Sequence, residues 1–187
     1  MTNTLRRVTP MLIGTAFATT LLAMPVAAQD LVDTLDFGSG TAVVELAGER
    51  YEFDMSSREI GEDVFVGICR GIFGAIQATG RVTDDRAITV EMELPPVDWE
   101  AKPEYGFDPP SITLEDADSG SVWVADPTYT EFLGTEVENP SLVVLTENDG
   151  LVATGTAIFV DGQALSRGEA VEPLQGTWEV RCDAEEE

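Results

Sequence analysis

Apolar and polar residues alternate along several stretches of this chain with the period of a β-strand. Ile88, Val90, Met92 and Leu94 share one face, and Thr89, Glu91 and Glu93 share the other. That is the pattern of a strand with one side buried. Trp178, Val180 and Cys182 alternate with Thr177, Glu179 and Arg181. Tyr51 and Phe53 alternate with Arg50, Glu52 and Asp54, and Val64, Val66 and Ile68 lead in the same rhythm into Cys69. Stretches 41–46, 76–83, 121–125, 141–146 and 151–160 are rich in Val, Ile, Thr and aromatic residues and predict further strands.

Turn residues separate these stretches. Ala47-Gly48-Glu49, Asp84-Asp85, Asp118-Ser119-Gly120 and Asp161-Gly162 punctuate the chain, and Asn148-Asp149-Gly150 is the best hairpin turn. No window carries a long apolar stripe of period 3.6. The best helix candidate, Ile72–Ala78, is weakened by Gly71, Gly74 and Gly80, which fit strand bulges or close backbone approach better. Many short strands with frequent turns predict an all-β fold, an antiparallel β-sandwich or partly open barrel. Two longer interruptions, 95–111 and 126–140, hold most of the prolines and a set of aromatic residues.

The N-terminus changes where this domain is expected to work. Arg6 and Arg7 precede an uncharged run, Met11–Leu22, and Pro25 precedes the small residues Val26-Ala27-Ala28. This is the layout of a cleavable secretory signal peptide over residues 1–28, cut before Gln29. The predicted remainder is a linker over 29–40, a single β-domain over 41–183 and an acidic tail over 184–187. It contains no further apolar run of membrane-spanning length. Export, to a periplasm or beyond the cell, favours disulfides. The chain has two cysteines, so Cys69–Cys182 is the expected bridge. It would close a loop of about 100 residues, worth roughly 4–5 kcal/mol in the chain-entropy treatment. The alternation places Cys182 inward beside Trp178 and Val180.

Charge narrows the partners. Beyond residue 28 the chain has 35 acidic residues against eight basic ones, a balance of −27. Nucleic acid and anionic membrane surfaces are poor partners for such a chain, because both need cations on the protein. Solubility and salt tolerance are the plain reading of the charge. The absence of histidine excludes Ser-His-Asp and Cys-His catalysis and histidine metal sites. Phosphate-binding glycine motifs are absent from the sequence. Carboxylate pairs are so abundant that none singles out a hydrolase site, and no catalytic residue is assigned.

Two candidate sites remain. Trp99, Tyr105 and Phe107 in the first long loop, with Tyr129 and Phe132 in the second, offer stacking area for a partner. The alternative is that these aromatics fold back over an open end of the sheet. Glu115, Asp116 and Asp118 in one acidic turn and Asp149 in another offer oxygen ligands to calcium, without EF-hand spacing. Solvated turns are the competing reading. No cofactor is required by the sequence, and calcium is the one to test.

The order of these stretches resembles a known family. Val43-Val44-Glu45-Leu46-Ala47-Gly48 and Tyr51-Glu52-Phe53 precede Cys69; Leu151-Val152-Ala153-Thr154-Gly155-Thr156-Ala157 precedes the closing Gly176-Thr177-Trp178-Glu179-Val180-Arg181-Cys182. The layout is similar to the mycobacterial small lipoprotein antigen family. The resemblance implies a β-rich exported domain with one structural bridge, Cys69–Cys182, acting as a surface antigen or adhesin. This chain departs from the family in lacking a lipidation cysteine and in carrying loops 95–111 and 126–140.

Three functions follow as expectations. The first is a non-catalytic exported domain whose surface binds a protein, a glycan or an envelope component. The second is a carrier with a small apolar ligand in a pocket between sheets. The third is a carboxylate-based hydrolase.

Overall fold

Short turns between half-buried strands fold this chain into an antiparallel meander whose first and last strands meet. The computed structural model describes residues 37–60, 63–132 and 142–184, and at 59–60, 63–64 and 130–132 the backbone alone. The predicted signal peptide, residues 29–36 of the linker, residues 133–140 of the second loop and residues 185–187 of the tail lie outside the described residues. The strands are β1 (Gly40–Leu46), β2 (Glu49–Asp54), β3 (Arg58–Ile60), β4 (Asp63–Phe65), β5 (Ile68–Ile72), β6 (Ala75–Val82), β7 (Ile88–Leu94), β8 (Ser111–Asp116), β9 (Ser121–Ala125), β10 (Leu142–Asn148), β11 (Val152–Asp161) and β12 (Leu174–Cys182). Two short helices, α1 (Pro127–Phe132) and α2 (Gly162–Ser166), join them.

Eight strands close a barrel in the order β1-β2-β6-β7-β8-β9-β11-β12 and back to β1. The β12–β1 seam is long, running from Gly40 opposite Cys182 to Leu46 opposite Gly176. The β9–β11 seam is held by two residue pairs, Val124 with Val160 and Trp123 with Asp161. The expected all-β antiparallel fold with one disulfide is present, and the sheet closes into a barrel in place of the expected sandwich or partly open barrel. Both alternatives bury alternate residues of each strand, but here the pairings join every barrel strand to two neighbours. Two excursions leave the path. A β3–β4 hairpin and β5 intervene between β2 and β6; α1 and β10 intervene between β9 and β11. β5 and β10 pair with β6 and β11 beside the barrel.

The lumen is filled by the inward residues that the alternation marks. Val44, Phe53, Ile76, Val82, Val90, Met92, Leu94, Ile112, Leu114 and Phe159 are all fully buried. Burying a side chain of this size stabilises by about 1.5–3 kcal/mol. Eight strands enclose just enough width for such a packed interior. Trp178 is also buried, and its indole N–H donates to the Thr156 carbonyl at 3.2 Å.

Cys69 of β5 is bonded to Cys182 at the end of β12, with Cα atoms 5.1 Å apart. The bridge ties the first excursion to the β12–β1 seam. Phe37 joins this corner by accepting a hydrogen bond from the Cys69 N–H at 3.1 Å. The expected run Val64–Val66–Ile68 is not one strand. β4 ends at Phe65 and β5 begins at Ile68, because Gly67 lies on the backbone of Met55. A methyl group there would stand 2.2 Å from the Met55 carbonyl oxygen, so the chain kinks and leaves Val66 exposed.

The barrel thus has two dissimilar ends. The disulfide end carries the β5–β6 turn, the loop 95–110 and the turn 148–151. The other end carries the turns β1–β2, β6–β7 and β8–β9, and α2, whose start is capped by Asp161 accepting from the Ala164 N–H at 2.9 Å. Among the described residues no helix is long and apolar enough to cross a membrane.

Candidate functional site

At the disulfide end, β5 and β6 are joined by a two-residue turn in which Phe73 has φ 52° and Gly74 has φ 83°. Left-handed backbone at both positions makes the type I′ turn whose twist suits a hairpin. Glycine takes that conformation freely. A phenylalanine there is a real outlier, and the conformation costs it about 1–2 kcal/mol. The ring gains no burial in return, since Phe73 is 88% exposed.

Neighbouring segments hold this tip in place. Arg70 of β5 donates from Nη2 and Nε to the Gln77 side-chain oxygen on β6, at 2.6 and 3.1 Å. Gly71 presses on Gly150: a methyl group on Gly71 would stand 2.1 Å from the Gly150 carbonyl oxygen. Gly74 also packs beside Gly150 and Pro96. Asn148 donates to the carbonyls of Leu94 and Pro95 at 3.2 and 2.8 Å, while its own oxygen accepts from the Gly150 N–H at 2.9 Å. The hairpin, the 148–151 turn and the start of loop 95–110 are therefore one interlocked unit.

This unit presents an apolar surface. Tyr105 is 62% exposed and Val97 51%, and Ile72 and Leu151 are exposed beside them. The rings of Tyr105 and Phe107 lie 5.9 Å apart. A recess of about 230 Å3 runs between Ile72, Leu94, Pro95 and Phe107. Glu93 and Asp108 line the recess, and Asp98, Glu100, Glu104 and Asp149 are carried by the same loop and turn. Lys102 Nζ lies 2.9 Å from Asp98 and holds that carboxyl below its usual range. Backbone N–H groups of Val152 and Leu151 do the same for Asp149.

Of the aromatics predicted from sequence, Trp99, Tyr105 and Phe107 gather here, with Trp99 half-buried in a short 3₁₀ turn. Tyr129 does not join them. It sits on α1 with its hydroxyl donating to the Gly162 carbonyl at 3.2 Å, at the far end of β11 from the 148–151 turn. Phe132 closes α1, and its side chain lies outside the described residues. Phe73, Ile72, Val97 and Leu151 were not singled out by sequence reasoning. The available signal was the Phe73-Gly74 pair between two Val/Ile/Thr-rich stretches.

The calcium candidates are split between the two ends. Glu115, Asp116 and Asp118 lie at the β8–β9 turn, Asp149 at the opposite end. The Asp116 carboxylate accepts from the Ser119 hydroxyl at 2.7 Å and from the Asp118 N–H at 3.0 Å, and Asp118 accepts from the Ala87 N–H at 3.2 Å. Among the described residues no group of three acidic or cysteine side chains is placed to hold a metal.

Several carboxyls are held below their ordinary range. The Ser119 hydroxyl lowers Asp116, the Arg86 guanidinium lowers Asp84 and the Arg167 guanidinium lowers Glu169. Burial pushes Asp54 up, but two hydrogen bonds from Ser56 and the charge of Arg58 bring it below the usual value. No protein-family model, curated protein or solved structure matches this chain.

Proposed function

We propose that this protein is an exported, non-catalytic binding module that grips a protein partner with the apolar tip of its disulfide end. One observation carries this reading: Phe73 is held in a costly backbone conformation while its ring stands in solvent. Strain kept at an exposed position, in a rigid setting, is a mark of function rather than of folding. The ring, the adjacent recess and the exposed Tyr105 form the anchor-and-pocket arrangement that concentrates binding energy in protein interfaces. The acidic rim selects a partner whose apolar pocket is surrounded by basic residues, and opposes an anionic lipid surface.

The other two readings fit less well. A carrier of a wholly apolar ligand needs an enclosed apolar cavity, and large side chains occupy the middle of the lumen here. A carboxylate hydrolase needs one carboxyl raised toward neutrality. Asp54, Asp84, Asp98, Asp116, Asp149 and Glu169 are all shifted the other way.

A random peptide library displayed on phage and selected on the immobilised protein tests the proposal. The expected winners combine aromatic or aliphatic residues with Lys and Arg, and lose binding to the Phe73→Asn and Tyr105→Ser variants. Acidic winners, or winners that bind both variants as tightly as the parent, would overturn it. So would Phe73-dependent sedimentation with phosphatidylcholine vesicles, which would assign the tip to a membrane.

A further inference from the structure

We infer that the opposite end of the barrel is a second and separate binding site, one that takes a small organic cation with an apolar body. The meander leaves a cavity of about 330 Å3 at this end, open to solvent. Its walls are Leu46, Tyr51, Ile88, Trp123 and Leu174, each at the last inward position of its strand or next to it. The volume is at the small end of ligand sites, enough for one ring and a charged group.

The charge at the rim decides the sign of the ligand. Glu49, Arg86 and Asp116 line the opening. Arg86 is already neutralised, with its Nη2 and Nε at 2.8 and 2.9 Å from Asp84 Oδ2. It stands 4.0 Å from Glu49 as well. Two carboxylates, Glu49 and Asp116, therefore line the cavity against a single cation whose closest partner is Asp84. An anion would be repelled here, and a cation would be drawn in.

The aromatic wall points the same way. The Arg86 guanidinium lies 5.0 Å from the centre of the Tyr51 ring. The Tyr51 hydroxyl donates to Glu49 Oε2 at 2.7 Å, which turns electron density toward the ring and fixes its plane. The fold has thus placed a guanidinium of its own on an aromatic face backed by a carboxylate, which is how such cations are recognised. Arg86 is carried by the exposed β6–β7 turn, and its closest bonds are to Asp84 of that same turn. A ligand with a ring to cover the partly buried Trp123 and Leu174, and an amidinium or ammonium to take the place of Arg86 on Tyr51, matches both the apolar and the anionic parts of the lining.

The test is a titration of the isotopically labelled protein with benzamidinium, followed through the backbone amides and the Trp123 indole N–H, with benzoate as the control anion. The expected result is saturable movement of Trp123, Tyr51 and Ile88 signals with a Kd of about 1 mM, and no response to benzoate. Glu49→Gln and Asp116→Asn should each weaken binding about two- to fivefold. Glu49→Gln keeps an oxygen that accepts from the Tyr51 hydroxyl and gives up only the 4.0 Å ion pair with Arg86, and the amide oxygen of Asp116→Asn still accepts from the Ser119 turn, so both variants keep the cavity. Arg86→Gln removes the competing cation and should tighten binding severalfold. Benzoate binding as well as benzamidinium, loss of binding in Arg86→Gln, or shifts confined to Trp99 and Trp178 would overturn the assignment, as would no response to benzamidinium at all.

Discussion

Gly71 and Gly150 meet backbone to backbone, with room between them for hydrogen and nothing larger. This contact fastens the β5–β6 hairpin to the β10–β11 turn, although the two are far apart in sequence. A methyl group at Gly71 would fall 2.1 Å from the Gly150 carbonyl oxygen, so one backbone must yield. Gly71→Ala is expected to destabilise the domain by about 1–3 kcal/mol, the usual cost of overpacking a tight contact. Urea unfolding checks the loss. An unchanged midpoint would mean that the hairpin is not locked.

Asn148 makes the second fastening, and its chemistry can be separated from its size. Its amide donates to the carbonyls of Leu94 and Pro95. Asn148→Asp keeps the shape but turns a carboxylate toward two carbonyl oxygens. It should cost about 1–3 kcal/mol and more than Asn148→Ala, since it adds repulsion to the lost bonds. The two variants compared by thermal unfolding give the order.

The disulfide spans 113 residues of sequence. The chain-entropy treatment assigns a loop of that length about 4–5 kcal/mol, and natural bridges deliver about 2–5. Cys69→Ser should remove an amount in that range. It should also loosen β5, so that amide exchange quickens in the β5–β6 hairpin before the rest of the barrel. Uniform exchange across the domain would show that the bridge acts only on the unfolded chain.

Stability should respond to pH in two directions. Asp116 and Asp149 have folded pKa values below their ordinary value, so their contribution is present above about pH 4 and is lost as the pH falls through the folded values. Tyr51 behaves oppositely. Burial, and then its bond to Glu49, raise the phenol from 10.0 to about 12, so its contribution is full below pH 10.0 and is lost as the pH climbs toward 12. The alkaline loss between those values should be smaller in Tyr51→Phe. Added salt should raise the melting temperature near neutral pH by screening the excess of carboxylates. A wild-type curve flat above pH 10.0 would contradict the account of Tyr51.

Much of the barrel could be read directly. The alternations at Ile88–Leu94 and Trp178–Cys182 give the inward faces of β7 and β12, and the turn at Asn148-Asp149-Gly150 is where the pattern puts it. Closure was not legible. It depends on which strands meet across long stretches of sequence, and the β9–β11 seam rests on two residue pairs that leave no periodic trace. The site was half legible for a similar reason. Tyr105 and Phe107 stand out among the prolines of their loop. Phe73 hides inside a glycine-rich stretch and stands out only once it is seen at the tip of a two-residue turn, with a left-handed backbone and an exposed ring. Tyr129 looked equally exposed in the sequence, but α1 turns it onto Gly162.

On the proposed function, Phe73 is kept for binding at the expense of stability. Phe73→Asn measures both sides in one variant, because it creates the Asn-Gly pair that a type I′ turn prefers. The variant is expected to unfold at higher denaturant concentration, with a gain of about 1 kcal/mol, and to lose its grip on peptides selected against the parent protein. A variant that is no more stable, or one that binds those peptides as tightly as the parent, would contradict it.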